Sequence, residues 1–137
     1  MPAVVVQRLA EALDQRSRIG LNGAKVLVLG IAYKKNVDDM RESPALKLIE
    51  LLKARGAAVT FHDPFVPEIP PTREHPEFTG LRSVELTEPA LRGADAVLIA
   101  TDHDTVDYHF VVRHARLVVD TRNATKAVQD RKNIVKS

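Results

Sequence analysis

The chain has 137 residues, 45% hydrophobic and 28% charged, and a formal charge of +2 from 20 basic and 18 acidic side chains. That length fits one domain with an unstapled core, and the lack of cysteine excludes a disulfide framework, a thiolate metal site and a cysteine nucleophile within these residues. No apolar run approaches the ~20 residues of a membrane helix, Met1–Val6 lacks the basic start of a secretory signal, and a pI near 9.0 with four Phe and two Tyr does not argue for nucleic acid.

Val5, Leu9 and Leu13, widened by Val6, Ala10 and Ala12, predict an amphipathic helix over 3–17. Asn22-Gly23 marks a turn. The run Lys25–Ile31, apolar after its first residue, suits a strand buried on both faces. Ser43-Pro44 reads as a helix start, with serine as N-cap and proline at the first helical position. Leu46, Leu48, Ile49, Leu51 and Leu52 carry that helix to Arg55-Gly56, where the glycine ends it.

Ala58–His62 is the next strand, closed by Asp63-Pro64; residues 64–80 hold five of the eight prolines and read as a long loop. A strand-like edge is expected at Leu81–Leu86, and a short capped helix at Thr87–Leu91 that stops at Gly93. Ala94–Thr101 contains a buried strand, 105–114 a short helix, and Leu117–Asp120 a last buried strand; the tail from Ala124 is polar and carries no prediction. Strands alternating with helices predict an α/β domain of three layers, helices on both faces of a mainly parallel sheet, with right-handed crossovers. Ligands of such sheets bind beyond the carboxyl ends of the strands, which selects residues 30–43, 101–105 and 120–123.

The first of these segments has one glycine, Gly30, where a dinucleotide fingerprint needs three. Phosphate recognition there must use side chains: Lys34, Lys35 and Arg41 are candidates, with the N-terminus of the helix after Ser43. The alternative is a surface ion network of Asp38, Asp39, Arg41 and Glu42. Arg122, just past a buried strand, either binds an anion in the same cleft or pairs with Asp120 or Asp39. In Thr101-Asp102-His103-Asp104 an acid beside a histidine suggests acid–base chemistry, but capping of the next helix by Asp102 or Asp104 is the preferred reading. Asp63 stands where dinucleotide folds hold a ribose-binding acid; with Pro64 next, an Asx-type turn is the safer assignment. His62, His75, His103, His109 and His114 show no metal-ligand spacing.

Gly30-Ile31-Ala32-Tyr33-Lys34 followed by Asp38-Asp39-Met40-Arg41-Glu42-Ser43-Pro44-Ala45 resembles the C-terminal UDP-binding domain of the UDP-glucose/GDP-mannose dehydrogenase family, the nucleotide-sugar 6-dehydrogenases. Phe61-His62-Asp63-Pro64, Thr101-Asp102-His103 and Val119-Asp120-Thr121-Arg122-Asn123 agree in the same order, and the likeness covers about residues 1–128. The resemblance implies a Rossmann-like domain at 23–137, preceded at 1–22 by the end of a central connecting helix and its linker. It implies an NAD-dependent, cytoplasmic enzyme that oxidises the sugar C6 alcohol to a carboxylate in two steps for polysaccharide precursors, forming a homo-oligomer through its helical middle. The NAD fingerprint and catalytic cysteine of that family have no counterpart in these residues, so this chain is expected to be inactive alone. By motif, Lys34, Arg122 and Tyr33 would contact the UDP-sugar, Arg41 would reach toward the NAD pyrophosphate, and Asp39, Glu42 and Ser43 would support the loop and cap the helix. Thr101-Asp102-His103 and Lys35–Asp39 are more similar to the UDP-N-acetylhexosamine branch than to the UDP-glucose branch. A stand-alone nucleotide-binding regulatory or subunit-assembly module is the alternative.

Overall fold

The computed structural model describes residues 2–32, 36 and 43–137. Helix α1 (Pro2–Ala12) continues into a π-helical turn (Leu13–Ser17), so the single helix expected over 3–17 changes its winding at Leu13. Arg18 ends it in the left-handed region at φ 58°, its N–H on the Leu13 carbonyl. Strand β1 (Lys25–Leu29) stops two residues short of the apolar run, because Gly30 turns the chain at φ +81°. Helix α2 (Pro44–Ala54), strand β2 (Ala58–His62), helix α3 (Glu88–Gly93), strand β3 (Ala96–Ile99), helix α4 (Tyr108–His114) and strand β4 (Val118–Asp120) follow.

The strand expected at 81–86 and the cap expected for the helix after β3 are corrected. No strand forms at 81–86: Arg82 makes one antiparallel bridge to Glu68 and Val84 N–H bonds the Phe61 carbonyl at 2.8 Å, so this edge only brushes the sheet. The tail instead supplies a further strand, β5 (Ile134–Lys136), with only two apolar residues and no periodicity to announce it. The short α4 is capped by Asp107, whose carboxylate accepts the Phe110 N–H at 3.1 Å, and not by Asp102 or Asp104. Thr87 caps α3 as expected, accepting from Ala90 N–H at 3.2 Å.

The five strands are parallel, in the order β2-β1-β3-β4-β5. Alternation along each strand builds two cores. Val26, Val28, Leu98 and Val119 face α1 and α2, while Leu27, Leu29, Val97, Ile99 and Val118 face α3 and α4. Both faces of β1, β3 and β4 are covered, which is why these strands read as continuous apolar runs. Leu9 and Leu52 sit fully buried between the helical layer and the sheet, each stabilising the fold by roughly 1.5–3 kcal/mol.

The order reverses between β1 and β3: the chain leaves β1 toward β2 on one side and returns to β3 on the other. Gly30 sits at this switch point, packed so closely that a Cβ would lie 2.4 Å from the Thr101 carbonyl oxygen and 2.5 Å from the Thr101 Cβ. Both its positive φ and this contact require glycine. Gly30→Ala is expected to lower unfolding stability by roughly 3 kcal/mol or more, measured by denaturant unfolding.

Candidate functional site

The carboxyl edge of the sheet is organised by two buried aspartates, one closing β2 and one closing β4. Asp63 follows β2 and is 2% exposed. Its Oδ1 accepts the Phe65 N–H at 2.8 Å, which is the Asx turn expected before the proline-rich excursion. Its Oδ2 accepts the N–H groups of Ile31 (2.8 Å) and Ala32 (3.1 Å) and lies 2.9 Å from His103 Nε2. Both oxygens are therefore engaged inside the protein, and no ribose-binding role is left for Asp63.

His103 Nδ1 accepts the Asn36 N–H at 2.7 Å. An acceptor nitrogen carries no hydrogen, so the ring's hydrogen lies on Nε2 and is donated to Asp63. Imidazole and carboxylate are fully buried, with the Phe65 ring 4.8 Å away. His103 is thus an anchor between the β2 and β3 ends, which removes it from acid–base chemistry on a ligand. Its neighbour Asp104 clamps Asn36 from outside: the Asp104 carboxylate accepts the Asn36 amide at 2.8 Å, and the Asp104 N–H donates to Asn36 Oδ1 at 2.9 Å. These bonds hold Asn36 in the left-handed region at φ 63°. The Thr101 hydroxyl adds a bond to the Ala32 carbonyl at 2.8 Å. The Tyr108 hydroxyl donates to the His103 carbonyl at 3.0 Å; burial first, then Asp102 and other nearby carboxylates, push its phenol well above the ordinary value.

Asp120, at the end of β4, is fully buried. Its Oδ1 accepts the N–H groups of Arg122 (3.0 Å) and Ala124 (3.1 Å), and its Oδ2 accepts the N–H (2.9 Å) and hydroxyl (2.6 Å) of Thr125. Burial alone would push the carboxyl up; these hydrogen bonds, Thr125's hydroxyl foremost, together outweigh it and hold the group below its ordinary value. The turn they fix presents Arg122. The arginine does not pair with Asp120 through its side chain: Nε donates to the Ala100 carbonyl at 3.0 Å, bridging the ends of β3 and β4. Its two terminal nitrogens have no partner among the described residues. Arg122 is exposed and stands between two hollows. One, about 430 Å³, includes Arg8, Pro44, Ala45 and Thr121; the other, about 260 Å³, includes Asp102, Tyr108, Asn123 and Lys126.

Of the residues that the family resemblance assigns to substrate, cofactor or loop support, Arg122 and Ser43 are described. Tyr33, Lys34, Lys35, Asp38, Asp39, Arg41 and Glu42 lie outside the described residues. Ser43 occupies the N-cap position before Pro44, and its hydroxyl donates to the Ile31 carbonyl and makes no bond to a helix N–H. Sequence reasoning missed the Asp63–His103–Asn36 chain and the Asp120–Thr125 cluster. The described ends of the β1–α2 connection do not fit an NAD pyrophosphate cradle: the space against Gly30 is filled by Thr101, and the Ser43 hydroxyl donates to the Ile31 carbonyl.

The arrangement defines a class: a doubly wound parallel domain with a single glycine, Gly30, at its switch point and, among the described residues, an arginine at its carboxyl edge whose terminal nitrogens are unpaired. Residues 27–127 match the model of the UDP-glucose/GDP-mannose dehydrogenase family, UDP binding domain, and the chain belongs to that family. It is 34% identical to the UDP-N-acetyl-D-mannosamine dehydrogenase of Pyrococcus horikoshii over 92% of this chain and 28% of that protein. It is 38% identical to UDP-glucose 6-dehydrogenase AglM of Haloferax volcanii over 78% of this chain and 25% of that protein. The solved structure of the Pyrococcus horikoshii enzyme superposes with a TM-score of 0.76 at 30% identity, covering 98% of this chain and 30% of that one. A UDP-glucose dehydrogenase from Pyrobaculum islandicum does so with a TM-score of 0.71 at 32% identity, covering 99% and 28%. The chain thus spans little more than a quarter of these relatives.

Asp120→Asn is expected to cost about 2 kcal/mol at neutral pH, because an amide cannot accept all four bonds. The folded-state pKa of Asp120 lies below the ordinary 3.8, so its stabilisation is complete above that value and is lost as pH falls below it. The gap between wild type and variant in denaturant unfolding should therefore be widest above about pH 5 and narrow toward pH 3.

Proposed function

We propose that this domain holds the nucleotide end of a UDP-sugar at the carboxyl edge of its sheet, as the substrate-holding part of an NAD-dependent dehydrogenase. That enzyme would oxidise the sugar C6 alcohol to a carboxylate in two steps. The observation that carries the reading is Arg122: an exposed guanidinium braced on Ala100, with its terminal nitrogens uncommitted, at the edge where doubly wound folds take ligands. A diphosphate needs such a donor where no glycine loop exists, and arginine offers it two parallel N–H bonds. Lys34 and Tyr33 join Arg122 in this proposal. Arg41 reaches toward NAD, while Asp39, Glu42 and Ser43 brace the loop.

Residues 1–22 are proposed as the end of a connecting helix and 23–137 as the nucleotide-binding unit. Closure of this unit against an NAD-bearing part would exclude water from hydride transfer, and remote UDP contacts would position the sugar. The complete enzyme is proposed as a cytoplasmic homo-oligomer; among the described residues no helix is long and apolar enough to cross a membrane. The sugar is proposed to be an N-acetylhexosamine, in keeping with the Pyrococcus horikoshii relative. Relatives named as dehydrogenases do not favour a stand-alone regulatory module.

Titration of the chain with UDP, followed by amide NMR shifts, tests the site. Shifts should centre on Tyr33, Lys34 and Arg122, and Arg122→Ala should weaken binding by roughly 10-fold or more, the worth of a charge-assisted bond. Shifts confined to the α3–α4 face would refute it. Joined to an NAD-binding and catalytic portion, the domain should support NADH production from UDP-N-acetylhexosamines in preference to UDP-glucose.

A further inference from the structure

We propose that Glu50, His75 and Glu77 form a binding site for a divalent transition-metal ion of the zinc type, which clips the proline-rich excursion to α2. His75 precedes the single 3₁₀ turn of that excursion, Pro76–Phe78, and Glu50 lies on α2. The Nδ1 atom of His75 is buried and has no hydrogen-bond partner among the described residues, although the side chain is nine-tenths buried. An orphaned buried nitrogen is costly in water-free surroundings. Two carboxylate oxygens lie beside it: Glu50 Oε2 is 3.2 Å away and Glu77 Oε2 3.9 Å away.

One donor atom from each residue lies within 4.8 Å of the others. Donors bound at about 2.0–2.2 Å around a tetrahedral ion would be separated by roughly 3.3–3.6 Å, so the cluster needs only small side-chain adjustments to close on one. The ring is already held. Phe78 stacks on it with centroids 5.6 Å apart and planes 16° apart, and the His75 N–H bonds Thr72 Oγ1 at 3.2 Å. Lys47 engages the other oxygen of Glu50 at 3.1 Å, which leaves Oε2 facing the imidazole. Glu77 is half-exposed, so water can fill a fourth position.

The donor set selects the ion. Two carboxylates and a neutral imidazole carry two negative charges, balanced by a dication. A nitrogen ligand with only three protein donors suits zinc, whereas calcium and magnesium take more oxygens in larger shells. Glu50 and His75 are far apart in sequence, so no ligand motif is visible there.

Isothermal titration of the metal-stripped chain with ZnCl₂ should show one equivalent bound, and the thermal midpoint should rise by about 5 °C, with no rise in MgCl₂ or CaCl₂. Glu77→Gln, which alters a half-exposed side chain, and His75→Asn should each abolish the response, while His109→Asn, at an exposed histidine, should keep it. An unmoved midpoint in the parent chain, or a full response in Glu77→Gln and His75→Asn, would overturn the site.

Discussion

A carboxylate withdrawn from water at the end of β2 is the constraint on which this sheet edge depends. Asp63 is tolerable there only because four donors converge on it, from Ile31, Ala32, Phe65 and His103. Those donors belong to the turn after β1, the start of the proline-rich excursion and the segment after β3. One charge thus fixes the relative positions of three chain segments that share no local sequence. His103 carries the constraint outward, since its second nitrogen binds the Asn36 backbone and its carbonyl takes the Tyr108 hydroxyl. The arrangement is a chain of polar groups in which each member satisfies the next, and such networks are firm when complete and weak when one member is lost.

Asp120 repeats the solution at β4 with local partners. Its donors all lie within the next five residues, so it shapes one turn and not three segments. The consequence is functional. The chain after β4 is held by backbone bonds to Asp120, which leaves the Arg122 side chain free to brace on Ala100 and present its terminal nitrogens outward. Had the guanidinium paired with Asp120, its charge would have been neutralised inside the fold. Supporting the turn through N–H groups keeps the cation available.

This division explains what could be read in the sequence. Buried strands and the longer helices declare themselves through apolar runs and helical spacing, so β1, β3, β4 and α2 were legible, while the edge strand β2, with Phe61 alone buried, was marked by its Val59 and Phe61 and by Asp63-Pro64 after it. Residues 81–86 misled because Leu81, Val84 and Leu86 interleaved with polar residues beside the sheet resemble an edge strand, yet the segment makes one isolated bridge. Strand β5 was invisible because three residues have no period, and its placement depends on β4 already being there. Asp102 and Asp104 were plausible caps by position, but Asp107 sits one residue before the helix and takes that role. The Asp63–His103 bond joins residues 40 apart; no local pattern encodes it, although Asp63-Pro64 did reveal the Asx turn.

The same contacts decide how this edge can recognise an anion. A glycine cradle works by clearing side chains so that backbone N–H groups approach a pyrophosphate. Here the available backbone donors of Ile31 and Ala32 are already taken by Asp63, the space against Gly30 is filled by Thr101, and Pro44 at the start of α2 has no N–H to give. Completing the buried network therefore commits the Ile31 and Ala32 N–H groups inside the fold. Among the described residues, Arg122 is the cation braced at this edge, its Nε on the Ala100 carbonyl.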